Sequence, residues 1–296
     1  MSEKTKSAIF DYSEASSSSA PPPFSQAVSD AGPSTFQSRF ASITRHGLDR
    51  IRLVNLSEVD IAAMHEIVRT YWERGIDKVY PQEASREFKL GGYAWGYDPN
   101  GNEQAMMLTL RILEGMYGLG WVIYSPIEVT KRISTKDALI FRKVNQTPPP
   151  SEWLNVSFHG GDKLKILNFP PTYLVNDIMA TFMTDIQRHD ITPDRAKIKF
   201  KGYPWRPLES DGTETQLKLL ALLEIFERHG FKLYARTSAR FADETSESNV
   251  LVFQRRKDWV AGKSLYDELW LHARMDGFSY LLPFEASPHA RVHHDL

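Results

Sequence analysis

FASITRHGLDRIRLVNL at residues 40–56 and WLNVSFHGGDKLKILNF at residues 153–169 are two copies of one pattern. They align without a gap: His46 falls on His159, Gly47 on Gly160, Asp49 on Asp162 and Asn55 on Asn168. Farther on, FKLGGYAW at 88–95 matches IKFKGYPW at 198–205, and Glu114, Gly120, Tyr124 and Phe141 match Glu224, Gly230, Tyr234 and Phe253. An internal repeat decides architecture before any other feature of a sequence does.

Within the first copy, Ser42–Arg45 and Ile51–Val54 alternate apolar and polar around the turn His46-Gly47-Leu48-Asp49, the signal of a β-hairpin. Ser57 is placed to cap a helix running through Gly75. The apolar positions Ile61, Met64, Ile67, Val68, Tyr71 and Trp72 recur at three- and four-residue steps on one buried face. Glu87–Leu90 reads as a short strand ended by Gly91-Gly92. A second helix over Glu103–Tyr117 carries Met107, Leu110, Leu113 and Met116 and is stopped by Gly118 and Gly120. Trp121–Tyr124 and Ala138–Arg142 read as the closing strands. The second copy repeats the order: a hairpin over Leu154–Asn168, and a helix opened by Pro170 and Pro171 with Leu174, Ile178, Phe182 and Ile186. A strand at Ile198–Phe200 follows, then a helix with Leu217, Leu220, Leu223 and Phe226, and strands at Phe231–Tyr234 and Val250–Phe253. The expectation is an α+β fold of two tandem, pseudo-symmetric ββαβαββ units of about 105 residues each, an ordinary domain size. The short linker favours units packed together.

The domain plan that follows is a Ser/Pro-rich disordered arm at 1–39, unit 1 at 40–145, a Pro linker at 146–151, unit 2 at 152–257 and an extension at 258–296. The arm is too poor in apolar residues to offset its chain entropy. Its island Ile9, Phe10 and Tyr12 could serve as a short docking motif. The extension could form a third hairpin that completes the sheet of unit 2. In a chain of 296 residues with 42% hydrophobic content there is ample material for two cores.

Charge is balanced, with 36 basic and 37 acidic residues, which argues against a nucleic-acid partner except through a local basic patch. There is no cysteine, which excludes disulfides, thiolate metal sites and a cysteine nucleophile and suits a reducing compartment. The first residues carry no apolar signal segment, and no apolar run is long enough to span a bilayer. An intracellular location, cytoplasmic or nuclear, is expected.

The run from FKLGGYAW through RILEGMYGLGWVIYSPIEVTKRISTKDALIFRK resembles a family of fungal proteins that carry this unit in tandem, over most of residues 40–257. Members end the second helix in Gly-Trp and follow it with a Lys-rich loop and a strand like Asp-Thr-Leu-Ile-Phe-Arg. Unit 1 keeps the pattern at Gly120-Trp121, Lys131-Arg132 and Lys136–Arg142. Unit 2 departs from it at Phe231 and in the acidic loop 240–248. The resemblance implies no substrate and no catalytic residues.

Candidate site residues follow from residue type. Lys131, Arg132, Lys136 and Arg142, with Ser134 and Thr135 between them, could hold an anion through charge-assisted hydrogen bonds. A histidine with a carboxylate neighbour can serve as a general base, which would suit His46, but His-Gly-x-Asp also suits a turn. Tyr93, Trp95, Tyr203 and Trp205, in two Gly-Tyr-x-Trp motifs, could stack on a ligand, or plug the end of a core with a polar atom kept wet. His289, His293 and His294 lack the helical setting that metal ligation at that spacing needs. No P-loop, GxGxxG, HExxH or GxSxG motif is present. Catalytic, cofactor-binding and metal residues are therefore assigned to none. The lead reading is a non-enzymatic binding or adaptor protein with a protein partner. The alternatives are a small anionic ligand in a cleft between the units, bound or acted on there, and RNA or single-stranded DNA on the basic loop.

Overall fold

The computed structural model describes residues 39–82, 84–96, 103–127, 135–206, 212–240, 247–263 and 265. The expected arm, the loop residues Lys131 and Arg132, the acidic residues 241–246, most of the extension and its three histidines lie outside these.

Unit 1 contains β1 (Phe40–His46), β2 (Arg50–Val54), α1 (Glu58–Tyr71), β3 (Ile76–Gln82), β4 (Ser85–Leu90), α2 (Glu103–Gly118), β5 (Trp121–Ile127) and β6 (Thr135–Lys143). Unit 2 contains β7 (Ser151–His159), β8 (Lys163–Leu167), α3 (Thr172–Thr181), β9 (Ile186–Thr192), β10 (Arg195–Phe200), α4 (Thr213–Arg228), β11 (Lys232–Arg240) and β12 (Glu247–Arg256). Each unit forms one antiparallel six-stranded sheet. The order is β3-β4-β2-β1-β6-β5 in the first and, read in the same direction, β9-β10-β8-β7-β12-β11 in the second. The α+β class and the duplication are thus present strand for strand.

Each unit has one strand more than the sequence pattern predicts, so the order is ββαββαββ. The added strands, β3 and β9, are sheet edges with most residues exposed. An edge needs no apolar face and tolerates Pro81, so alternation never announces it. The first helices are correspondingly shorter than expected. α1 starts on the Ser57 cap, whose Oγ accepts from Asp60 N–H at 3.2 Å, and ends at Tyr71 instead of Gly75. α3 ends at Thr181, which leaves Ile186 to open β9.

The shared residues of the repeat have local duties. Asn55 and Asn168 both sit in left-handed backbone, and each donates from Nδ2 at 2.6 Å to the carbonyl of the first residue of the aligned stretch, Phe40 or Trp153. Gly120 and Gly230 both take a φ of +80° where the second helix turns back into the sheet, which a side chain resists. The Gly-Tyr-x-Trp segment is hooked to the hairpin turn. Trp95 N–H donates to Leu48 O at 2.7 Å, and Trp205 N–H to Gly161 O at 2.9 Å.

The helices of each unit cover one face of its own sheet. Ile43, Ile51, Leu53, Phe88 and Phe141 meet α1 and α2, and Val156, Ile166, Ile198 and Phe253 meet α3 and α4. The first core does not stop at the unit boundary. Trp153, Ala235 and Val252 of unit 2 belong to it, because α2 also lies on the second face of the second sheet. β7 is therefore buried on both faces, whereas β1 is buried on one.

Candidate functional site

The same sheet face meets two different fates in the two units. In unit 2 it carries Trp153, Asn155, Ser157 and His159 on β7, Lys163, Lys165 and Leu167 on β8, Lys197 on β10 and Val250 and Val252 on β12, alternating with the residues that face α3 and α4. α2 covers it. Met106 packs with Leu167 and Val250, and Tyr117 meets Trp153 and Tyr234 edge-to-face at 5.3 and 5.8 Å. Arg111 donates to Asn168 Oδ1 at 2.6 Å, and Asn155 Nδ2 to the Met106 carbonyl at 3.1 Å. Tyr234 accepts from Ile123 N–H at 3.0 Å, and burial raises its pKa. At the head of the helix, Glu103 lies 2.9 Å from both Lys165 and Lys197. Burial pushes its carboxyl up, but the hydrogen bonds and charges of the two lysines outweigh that and lower its pKa.

In unit 1 no described element covers the aligned face. It carries Phe40, Ser42, Thr44 and His46 on β1, Arg50, Arg52 and Val54 on β2, Glu87 and Lys89 on β4, and Ala138, Ile140 and Arg142 on β6. Phe40 is 39% exposed and packs edge-to-face at 5.4 Å on Tyr124, itself 62% exposed; their counterparts in unit 2 are Trp153 and Tyr234. Glu87 stands where unit 2 has Lys197. His46 Nε2 lies 2.8 Å from Glu87 Oε2, Arg52 donates to the same oxygen at 2.9 Å, and Arg50 donates to Oε1 at 2.5 Å. Burial pushes this carboxyl up, but Arg50, Arg52 and His46 together hold it down at about 2. Unit 1 thus supplies from its own β4 the carboxylate that unit 2 takes from α2.

His46 and Arg142 share this face of the first sheet, which no described element covers and which lies opposite the face that meets α1 and α2, so neither lines a cleft between the units. That boundary is filled by Tyr117, Trp153 and Tyr234. The carboxylate that His46 meets is Glu87, far off in sequence, rather than Asp49; no local spacing announces it. Lys136 is in β6, whose first residue, Thr135, pairs with His46. Trp95 and Trp205 are packed inward: Trp95 is 4% exposed with its indole N–H donated to the Arg50 carbonyl, and Trp205 packs on Phe158 and Phe200. Tyr93 and Tyr203 are exposed. Arg50, Arg52 and Glu87 carry no sequence signal beyond alternation, and only strand pairing brings them together.

Among the described residues no group of three or more His, Asp or Glu side chains comes together to hold a metal. No described helix is long and apolar enough to cross a membrane.

The duplicated six-stranded α+β unit defines the class of protein. A family model matches it in both copies, over residues 39–142 and 152–254, and the chain belongs to that family, carrying its domain in tandem. Among solved structures the chain is similar to a conserved kinetoplastid-specific protein from Trypanosoma cruzi. The two are 18% identical over 36% of this chain and 98% of that one, with a TM-score of 0.27. No curated protein matches the chain. Neither the family nor the neighbour brings an activity to it.

Proposed function

We propose that this is a non-enzymatic binding or adaptor protein whose docking surface is the open face of the first sheet and whose ligand is an amphipathic helix of a protein. The observation that supports the reading is internal: the same face of the second sheet already seats α2, through an apolar stripe, an aromatic cluster and a charged helix head. Helix-on-surface recognition uses such a stripe at three- and four-residue spacing. A photo-cross-linking residue at Thr44 in the full chain should capture a helical segment of a partner. One at Glu66 on α1 should not, and Arg142→Glu should abolish the capture. Turnover in an activity screen, together with no capture specific to this face, would sink the proposal. Action inside the cell belongs to the same proposal and is checked by imaging the tagged full chain.

The small-anion reading is supported by one observation, that Thr135, the first residue of β6, pairs with His46. Against it, Arg50 and Arg52 already hold Glu87. Titration with inorganic phosphate, with and without Arg142→Ala, separates the two readings. Nucleic acid is a weaker reading, since Glu87, Asp49 and Asp77 break the positive face that phosphate contacts require. The fungal affinity suggested by the Gly-Trp and Lys-rich motifs is a further proposal, tested by the source organisms of the family's members.

A further inference from the structure

The two units are stacked by a contact between unlike surfaces, a helix from one and a sheet from the other. Such a contact uses up one helix and one sheet and leaves the other helix and the other sheet at the ends. The remaining sheet is the open face of unit 1. The remaining helix is α4. Aligned residue by residue with α2, its outer stripe reads Thr213, Gln216, Leu217, Leu220 and Glu227, where α2 has Glu103, Met106, Met107, Leu110 and Tyr117. Leu110 is 0% exposed on the second sheet; Leu217 and Leu220 are 60% and 54% exposed. Two adjacent leucines on an outward face are out of place on a helix that has only its own sheet to cover.

Resting on the docking surface proposed above, we infer that the helix it takes is α4 of a second copy of this chain, so that the protein assembles end to end. Two compensating exchanges support this occupant. At the head of the helix, Glu103 between Lys165 and Lys197 becomes Thr213 opposite Glu87. A glutamate there would face a buried carboxylate, whereas a hydroxyl can donate to it, and a carboxylate has room for a further donor beyond Arg50, Arg52 and His46. At the far end Tyr117 becomes Glu227, and Gln254, which neighbours Trp153 on the sheet, becomes Arg142. The apolar middle is kept, with Leu220 where Leu110 was and Ile140 where Val252 was. Because the surfaces that meet differ, the contact is heterologous and every assembly presents one unfilled helix and one unfilled sheet.

The chain has no cysteine, so introduced thiols report without interference. Met106 packs on Val250 within the chain, and the aligned positions are Gln216 and Ala138. An equal mixture of Gln216→Cys and Ala138→Cys chains should form a disulfide-linked pair under mild oxidation; Gln216→Cys mixed with Glu66→Cys should not. In sedimentation the wild-type mass should rise with concentration above 33.9 kDa. Leu220→Glu and Arg142→Glu should each weaken association at least about tenfold, since a central apolar anchor or a desolvated charge commonly carries that much. Their mixture, with one intact helix and one intact sheet, should stop at two chains. A wild type that stays at one chain's mass and gives no 216–138 cross-link overturns the proposal. So does a single chain in which a thiol at 216 resists a thiol reagent, because the chain's own residues would then cover α4. Capture of a different protein at Thr44 under those conditions leaves the docking surface standing and removes only this partner.

Discussion

Glu87 and Glu103 solve one problem in two ways. Each is a carboxylate held by cations on the same position of the same sheet face, one built into the strand and one delivered by the helix of the neighbouring unit. Both have folded-state pKa values below the ordinary carboxylate range. A carboxylate lowered in the folded state contributes stability that is present above its unfolded pKa and is lost as pH falls toward the folded value. For Glu87 that window runs from about 4.3 down to about 2. Its contribution is up to about 3 kcal/mol at neutral pH. Urea denaturation should therefore show stability falling between these pH values, and Glu87→Gln should flatten the fall. The replacement Glu103→Gln would leave Lys165, which is 5% exposed, without its carboxylate. A loss of about 3 kcal/mol is expected, because an unpaired buried charge costs more than the pair contributes. Converting Lys165 to Met in the same chain should recover part of it, and the midpoint of urea unfolding checks both.

At the scale of elements, α2 carries apolar residues on two sides because it serves two sheets, while α4 is buried mainly through Leu222, Ile225 and Phe226. The aromatic cluster of Tyr117, Trp153 and Tyr234 joins α2 to the second sheet: its three pairs are all edge-to-face, the closest, Trp153 with Tyr234, at 4.8 Å. Trp153→Ala should cost about 3–5 kcal/mol as a large-to-small change in a packed site. Tyr234→Phe should cost about 1 kcal/mol for the hydrogen bond from Ile123. The aligned changes in unit 1, Phe40→Ala and Tyr124→Phe, should cost much less, since both side chains are exposed. Comparing the four variants by thermal unfolding tests whether the face is filled in one unit and open in the other.

For the whole molecule, the shared core predicts one cooperative unfolding transition over residues 39–257, with calorimetric and van't Hoff enthalpies equal. Cutting the chain into 39–145 and 151–263 should yield fragments less stable than the whole. Unit 1 alone would expose Met106, Leu110 and Tyr117, and unit 2 alone would expose Trp153 and Val252. Two separate transitions, or fragments as stable as the parent, would refute the shared core. The duplication, the first hairpin of each unit, the four helices and the packing of the two motif tryptophans, Trp95 and Trp205, were legible in the sequence. They are written in local alternation, helical stripes and turn residues that both copies share, and family membership follows from the same features. The edge strands β3 and β9 were not legible, since an edge has no periodic apolar face. Nor was the Glu87 cluster, because its members come from three strands and meet only through register. Two sheet faces of similar sequence also look alike until one is covered. The chain by itself determined two similar units; tertiary structure alone decided that they stack helix onto sheet. That arrangement covered one sheet face with a helix and left the aligned face uncovered by any described element, because covering a face is a relation between elements far apart in the chain.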